Sequence, residues 1–319
     1  MSATLAISAM KDTDSQLTSC LRTVTTPART VQVGLIGAGI QASRTPRLHE
    51  QEARAADLPY SYHLLDLEQI GIGVEALPQL LDTAQGQGFA GLNITHPCKQ
   101  KIIPLLDGLS EEAAAIGAVN TVVFTEGKRI GHNTDWWGFA ESFKRGLSGA
   151  ALDRVVLLGA GGAGAAIAYA AFKLGVQRLV IYDCDNSRAE ALVGHLADLF
   201  GAEFALSIID LKAEMLAANG LIQAMPIGML GHPGFPLPIE FLRVSQWVAE
   251  IVYFPLETEL LRHARTLGCR TLDGGGMAVF QAAEAFRLFT GKSPDHERML
   301  QHFATMTKEG QSHHDRLGS

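Results

Sequence analysis

Apolar residues in this chain gather in short runs that end at glycine or at one polar residue, and stretches of helical period separate the runs. VQVGLIGAG (31–39) predicts a strand closed by a glycine turn. TPRLHEQEARAADL follows with helical character, with Pro46 tolerable in a first turn. YSYHLLDL predicts a strand, VEALPQLLDTAQGQG a helix ending at glycines, and FAGLNIT another strand. CKQKIIPLLDGLSEEAAAIGA holds one or two helical pieces broken by Pro104 and Gly108, and VNTVVFTEGKRIGHN reads as two strands around an E-G-K turn. This alternation predicts an α/β layer domain with a mainly parallel sheet.

The second half repeats the alternation. RVVLLGAGGAG is strand, glycine turn and helix start; RLVIYDCD is a strand and SRAEALVGHLADLF a helix. GLIQAMPIG, WVAEIVYF and CRTLDGGG read as further strand ends, and MAVFQAAEAFRLFTG as a helix stopped by Gly291. VVLLGAGGAGAAIAYAAF, from Val155 to Phe172, is uncharged and long enough for a membrane span. Its glycines cluster at the front and no basic flank marks a cytoplasmic side, with single residues Arg154 and Lys173 at its two ends, so a buried strand running into a buried helix is the better reading. Residues 1–30 and KEGQSHHDRLGS show no clear period and read as tails, with His313 and His314 solvated.

At 319 residues the chain exceeds what one core usually spans, so two domains are expected. Acidic residues number 33 and basic ones 26, without a basic block, which disfavours nucleic acid and anionic membrane as partners. Four scattered cysteines (Cys20, Cys98, Cys184, Cys269) with no C-x-x-C pair suit reduced thiols, and the opening residues lack a signal peptide's basic start and long apolar core. A cytoplasmic location is expected, which makes the N-I-T sequon at Asn93 accidental. No His/Cys spacing suggests a metal.

Gly159, Gly161 and Gly164, with Gly162 between them, form G-x-G-x-x-G directly after VVLL, and the next strand ends in Asp183. Strand, glycine turn, helix and a downstream acid together predict dinucleotide binding, with the pyrophosphate on the helix N-terminus. Asp183 can accept both ribose hydroxyls and repels a 2′-phosphate, which favours NAD over NADP; Arg188, five residues on, is the residue that can pair with a phosphate instead.

GLNITHPCKQK (91–101) then acquires meaning. Asn93, Thr95 and Lys99 are three polar groups able to converge on one patch, or an ordinary strand end. Oxidising an alcohol with a nicotinamide cofactor requires a base for the hydroxyl proton, and a lysine amine can serve where its surroundings favour the neutral form. Lys99 is the candidate base and Asp135, in GHNTD, its candidate partner.

GLIGAGIQASRTPRLHE, GLNITHPCKQ, IGAVNTVV, GHNTDWWGF, the GAGGAG turn, VYFPLETELL and MAVFQAAEAF run in order between about residues 33 and 306. In these pieces the chain resembles the shikimate/quinate dehydrogenase family. The resemblance implies two α/β domains, an N-terminal substrate domain with a mainly parallel sheet and a Rossmann-type dinucleotide domain, with a small polyhydroxylated ring carboxylate held in the cleft between them. It implies boundaries at 31–134 for the substrate domain, completed by C-terminal helices at 275–306, and 135–274 for the nucleotide domain, with tails at 1–30 and 307–319. Ser43 and Thr45 match the hydroxyl pair that holds the substrate carboxylate, with Tyr253 another contact to it. Thr95, Asn120 and Gln281 match readers of the ring hydroxyls, and Lys99 and Asp135 match the catalytic pair. Pro226, Gly274 and Met277 join the cofactor set. Where the family carries N-A-T-P, this chain has QAMP, with Gln223 for Asn and Met225 for Thr.

Plainer roles stand beside these. Asp135 can cap a helix, as can Ser43 and Thr45. Tyr253 can finish a strand, whereas Gln281 is costly to bury without a partner. His49, His96 and His132 are read as structural, and Trp136 and Trp137 as packing. An aminoshikimate-type dehydrogenase, a folate dehydrogenase or a non-catalytic sensor are the alternative functions; a monomer or homodimer acting on a small molecule is expected.

Overall fold

The computed structural model describes residues 30–208 and 210–317; residues 1–29, within the stretch read as a tail, lie outside the described residues. The chain divides into two compact units. The first takes residues 30–110, 119–132 and 285–317, and the second takes 111–118 and 133–284.

The first unit is built on a six-stranded sheet ordered β2-β1-β3-β5-β6-β4. Its strands are β1 (Val31–Gly37), β2 (Tyr60–Asp66), β3 (Gly91–Ile94), β4 (Gly108–Leu109), β5 (Thr121–Thr125) and β6 (Lys128–His132). β1 pairs in parallel with β2 and β3, while β3–β5 and β5–β6 are antiparallel and β4–β6 parallel. Glu126 (φ 49°) and Gly127 (φ 78°) are both left-handed, the geometry of the tight hairpin turn read from E-G-K. The helices are α1 (Thr45–Ala55), α2 (Leu67–Ile70) and α3 (Leu77–Gly86), joined at the far end of the chain by α11 (His296–Leu317).

Glu52 of α1 is buried and accepts Arg298 Nε at 2.9 Å and Arg298 Nη2 at 2.6 Å, as well as the Asp295 backbone N–H at 2.8 Å. Planar guanidinium against carboxylate gives two charge-assisted bonds at fixed angles, so α1 and α11 are locked in register. Beneath them His49 is fully buried among Tyr60, Tyr62, Phe286 and Phe289; its Nδ1 lies 2.9 Å from Tyr60 Oη, and burial lowers its pKa to about 3. His49 is therefore a neutral packing residue, as the sequence reading has it.

The second unit carries six strands, all parallel, in the order β12-β11-β10-β7-β8-β9. They are β7 (Arg154–Leu158), β8 (Arg178–Tyr182), β9 (Ala205–Ser207), β10 (Gly220–Gln223), β11 (Trp247–Glu250) and β12 (Arg270–Leu272). The order reverses between β7 and β10, and such a switch point opens a crevice at the carboxyl ends of the two strands. The helices of this unit are α4 (Glu111–Ile116), α5 (Asp135–Gly146), α6 (Gly162–Leu174), α7 (Asn186–Phe200), α8 (Leu211–Ala217) and α9 (Glu259–Leu267); α10 (Gly274–Thr290) belongs to it as far as Glu284. The uncharged run from Val155 is β7 followed by α6, whose residues from Gly164 to Ala171 are all buried. Among the described residues no helix is long and apolar enough to cross a membrane.

Four readings change. Pro104 does not break a helix; it lies in a 3-10 turn (Ile103–Leu105), and Gly108 pairs in β4. Gly274 to Gly276 do not end a strand but open α10, because Asp273 Oδ1 accepts the Gly275 N–H at 2.9 Å and caps it. α8 and α9 went unread, although Asp210 and Thr258 cap them with their side chains. α11 runs to Leu317 through the stretch read as a tail; Gly310 lies within it, and one glycine costs a helix only about 1 kcal/mol.

Candidate active site

In the first unit, the polar residues singled out in the sequence gather at one edge of the sheet, at the carboxyl ends of β1 and β3. The β1–α1 loop carries Ser43 and enters the helix at Thr45; both are half-buried, and Ser43 Oγ accepts the Thr45 N–H at 3.3 Å. Neither hydroxyl residue is the N-cap of α1: Arg44 takes that place without a side-chain cap bond, and Thr45 is the first helical residue. Thr95 follows β3 directly, its N–H bonded to the Ile36 carbonyl at 2.9 Å, while Ala38 N–H reaches the His96 carbonyl at 3.0 Å. These two bonds hold the β1 and β3 loops side by side. Gly37 permits the approach, since a Cβ there would lie 2.3 Å from Thr95 Cγ2.

The chain then passes a cis His96–Pro97 bond and reaches Lys99, which is half-buried and whose carbonyl accepts the Val119 N–H at 2.9 Å. Asn120 is buried beside it, its carbonyl accepting the Ile94 N–H at 2.7 Å. Asn93 does not join this set. It sits inside β3, accepts Tyr62 Oη at 2.7 Å and donates to Thr121 Oγ1 at 3.0 Å, so it ties strands together. Its strand position explains this: Asn93 and Thr95 are separated by one residue, but Thr95 has already left the ladder. Cys98 is a packed thiol, raised by burial to about 11.

The sequence reading missed Asp66, the last residue of β2. Its carboxylate accepts the N–H groups of Gly39 and Ile40, each at 3.0 Å, and Gln41 Nε2 at 3.0 Å. The signal was a lone acid closing the apolar run YHLL.

In the second unit, Gly159 has φ 103°, and a Cβ there would lie 2.9 Å from the Ala224 backbone, so the turn after β7 and the loop after β10 touch across the switch point. A Cβ on Gly164 would meet the Gly159 carbonyl at 2.1 Å, whereas one on Gly161 would meet nothing within 4 Å. Gly161 is the N-cap of α6 and supplies no side-chain cap, which leaves the first-turn N–H groups facing outward. Asp183 lies just past β8; Oδ2 accepts the Ala160 N–H at 2.7 Å and Oδ1 the Asp185 N–H at 2.9 Å. Arg188 is 3.5 Å from Asp185 and exposed. An uncapped thirteen-residue helix, an open glycine at its start and an acid at the next strand end fit a dinucleotide: Gly159 to Gly164 for the pyrophosphate and Asp183 for the ribose.

Replacing Gly164 with alanine drives the new methyl into backbone that cannot yield. We expect the turn to shift, the protein to lose about 1–3 kcal/mol of stability, and the KM for nucleotide to rise at least roughly tenfold. Thermal unfolding and nucleotide titration check both.

The loop after β10 explains the QAMP departure. Gln223 is fully buried; its Nε2 donates to the Met225 carbonyl at 3.0 Å and the Ile227 carbonyl at 2.8 Å, and its Oε1 accepts the Met225 N–H at 2.9 Å. One amide thus shapes the loop that carries exposed Pro226. Its register partner on β11, Glu250, does the same for the next loop. Glu250 accepts the Val252 N–H at 3.1 Å and Thr258 Oγ1 at 3.3 Å, burial pushes its carboxyl up to about 8, and the segment it holds bears exposed Tyr253.

Asp135 opens α5. It is buried and is the first helical residue, with Thr134 at the N-cap, so it does not cap the helix; its N–H donates to Asn133 Oδ1 at 3.0 Å. One turn on, Gly138 allows α5 to press on α10: a Cβ would lie 2.7 Å from Gln281 N and 2.8 Å from the Met277 carbonyl. Gly276 meets Ser142 from the other side, where a Cβ would lie 2.2 Å from Oγ. This crossing brings the α5 turn with Asp135 to the α10 turn with Met277 and Gln281. Gln281 is half-buried and donates to the Ala278 carbonyl at 3.1 Å. Gly274 is buried, and a Cβ there would lie 2.5 Å from the Ile251 and Val252 carbonyls. Trp136 and Trp137 pack edge-on against Tyr169 and Phe280.

Residues 35–122 match the family described as shikimate dehydrogenase substrate binding domain, and residues 274–302 the shikimate 5'-dehydrogenase C-terminal domain. A protein of Streptomyces avermitilis named shikimate dehydrogenase (NADP(+)) is 55% identical over 86% of this chain and 95% of its own. A protein of Corynebacterium efficiens named quinate/shikimate dehydrogenase (NAD(+)) is 47% identical over 86% of this chain and 98% of its own. Among solved structures, quinate dehydrogenase from Corynebacterium glutamicum in complex with NAD superposes with a TM-score of 0.82 at 46% identity, over 86% of this chain and 99% of that one. With its two α/β units, its carboxyl-edge polar cluster and its glycine turn, the chain belongs to the shikimate/quinate dehydrogenase family of NAD(P)-dependent oxidoreductases that act on CH–OH groups.

Proposed function

We propose that the protein reversibly oxidises a ring hydroxyl of shikimate, quinate or both to the 3-dehydro ketone, with NAD preferred to NADP. The observation that carries the reading is the gathering of Ser43, Thr45, Thr95, Lys99 and Asn120 at one sheet edge, five separate polar groups suited to one carboxylate and several hydroxyls. A ligand of that kind needs many neutral partners at fixed angles, and an unmatched hydroxyl would leave buried polar groups unpaired.

In this reading Ser43 and Thr45 hold the substrate carboxylate with Tyr253, and Thr95, Asn120 and Gln281 read the hydroxyls. Lys99 Nζ takes the proton of the reacting hydroxyl, and Asp135 orients the substrate and the amine. The nicotinamide, when bound, supplies the hydride acceptor. Gly159, Gly161, Gly162 and Gly164 receive the pyrophosphate, and Pro226, Gly274 and Met277 flank the nicotinamide. The preference for NAD rests on Asp183, whose carboxylate at the strand end opposes a 2′-phosphate, and on Arg188, whose guanidinium already has Asp185 as partner.

Shikimate and quinate titrated with each cofactor, followed by absorbance of the reduced nicotinamide, test this. We expect kcat/KM with NAD to exceed that with NADP by about tenfold or more. Equal or better efficiency with NADP overturns the cofactor assignment, and turnover of neither acid overturns the substrate.

A further inference from the structure

We infer that Asp66 is the positioning residue for recognition of the substrate carboxylate; this rests on the reading of Ser43 and Thr45 above. Asp66 is 2% exposed and lies opposite Gly37 in the β1–β2 register, at the root of the loop that leads to α1. Its two oxygens take four donors. Oδ1 accepts Gly39 N–H at 3.0 Å and Glu68 N–H at 3.2 Å, and Oδ2 accepts Ile40 N–H and Gln41 Nε2, both at 3.0 Å.

The network runs on to the substrate side. Ile40, fixed through its N–H by Asp66, offers its carbonyl to the Ser43 N–H at 3.0 Å, and Ser43 Oγ takes the Thr45 N–H at 3.3 Å. Three consecutive links therefore connect the buried carboxylate to both hydroxyl residues. On the other side of the loop Arg44 turns away to Thr307 Oγ1 at 2.5 Å and lies over Phe303, so the backbone between Ser43 and Thr45 is gripped from the opposite face. Gly39 at φ +64° would relax in a free loop; Asp66 holds it there.

Only an ionised carboxylate meets this arrangement, because all four partners are donors and an amide would turn its own N–H groups against them. Burial raises the Asp66 pKa, yet Gln41 and the N–H groups of Gly39, Ile40 and Glu68 outweigh burial and leave the group below the ordinary carboxylate range. Asp66 acts through backbone and has no need to touch substrate.

The experiment is Asp66→Asn in the full-length protein, with kinetics on shikimate and quinate and on their methyl esters, which lack the charged group. We expect KM for the acids to rise about 10- to 100-fold with kcat within about threefold of wild type, KM for nucleotide unchanged, and the esters handled alike by both proteins. Hydrogen exchange should quicken across residues 38–45 and at the Glu68 N–H, and nowhere else. A scaffold role would instead lower kcat for acids and esters together. Gln41→Ala removes one of the four bonds and, should Asp66→Asn not fold, must shift KM for the acids in the same direction by a smaller factor. Unchanged KM for the acids with unchanged exchange at 38–45 overturns the inference. If wild type turns over neither acid, it is the proposed function that falls, and the exchange measurement alone decides for or against Asp66.

Discussion

Lys99→Ala is expected to lower kcat by about 10²- to 10⁴-fold, the span of general acid–base catalysis, while KM for the acid changes little. The reason is the position of the amine: it follows Thr95 by four residues on a loop pinned to β1, and its carbonyl is fixed by Val119. Removal of the side chain beyond Cβ takes away the proposed proton acceptor and leaves the other polar groups of the sheet edge where they were. Lys99→Arg separates two roles. A guanidinium keeps the positive charge but does not give up its proton, so turnover stays as low as in the alanine variant if Lys99 moves a proton, whereas a role of charge alone is restored. Recovery of turnover by arginine, or a kcat for the alanine variant within about threefold of wild type, removes Lys99 from the chemistry. Steady-state kinetics in both directions are the measurement.

Glu250→Gln is expected to abolish a large pH dependence of stability. Burial places the folded Glu250 carboxyl at about 8 against an ordinary value of 4.5. Below 4.5 both folded and unfolded chains hold this proton and the group costs nothing. As pH rises from 4.5 the unfolded chain releases the proton while the folded one keeps it, so stability falls until about pH 8 and then levels. The full loss is on the order of 5 kcal/mol, at about 1.4 kcal/mol per unit. Glutamine cannot titrate, yet its oxygen can still accept the Val252 N–H and its amide can donate toward Thr258. The variant should match wild type near pH 4.5 in chemical denaturation and exceed it by several kcal/mol at pH 9, because all other titrating groups cancel in the comparison. Parallel stability curves across that range exclude a buried neutral acid at this position.

The legible parts of the fold were those fixed by local pattern. The apolar run before GAGGAG, the glycines needed at the turn, and Asp183 at the next strand end mark the second unit before any coordinate is known. The E-G-K hairpin is equally local, since two left-handed residues in a row demand such a sequence. In the first unit the family pieces pointed to Ser43, Thr45, Thr95, Lys99 and Asn120, which lie at one edge of its sheet. What escaped depends on partners distant in sequence. Asp66 reaches back 27 residues to Gly39, and Glu52 crosses 246 residues to Arg298; neither has a periodicity to announce it. Asn93, left open between a binding patch and an ordinary strand end, proves to be the latter: its partners Tyr62 and Thr121 are on neighbouring strands and make it cross-strand glue. The glycines of α10 were read as a strand end because three in succession oppose a helix, and only their contact with Ser142, Ile251 and Val252 shows why no larger residue fits.

The amide of Gln223 makes the loop beyond β10 a rigid lip before any visitor arrives. Three bonds from one side chain to that loop mean that its residues surrender their conformational freedom when the chain folds, not when a dinucleotide docks. Small polar side chains at the same places would leave more of that ordering to the encounter itself. Nucleotide capture here should therefore show a small entropic penalty and little dependence of the association rate on loop motion.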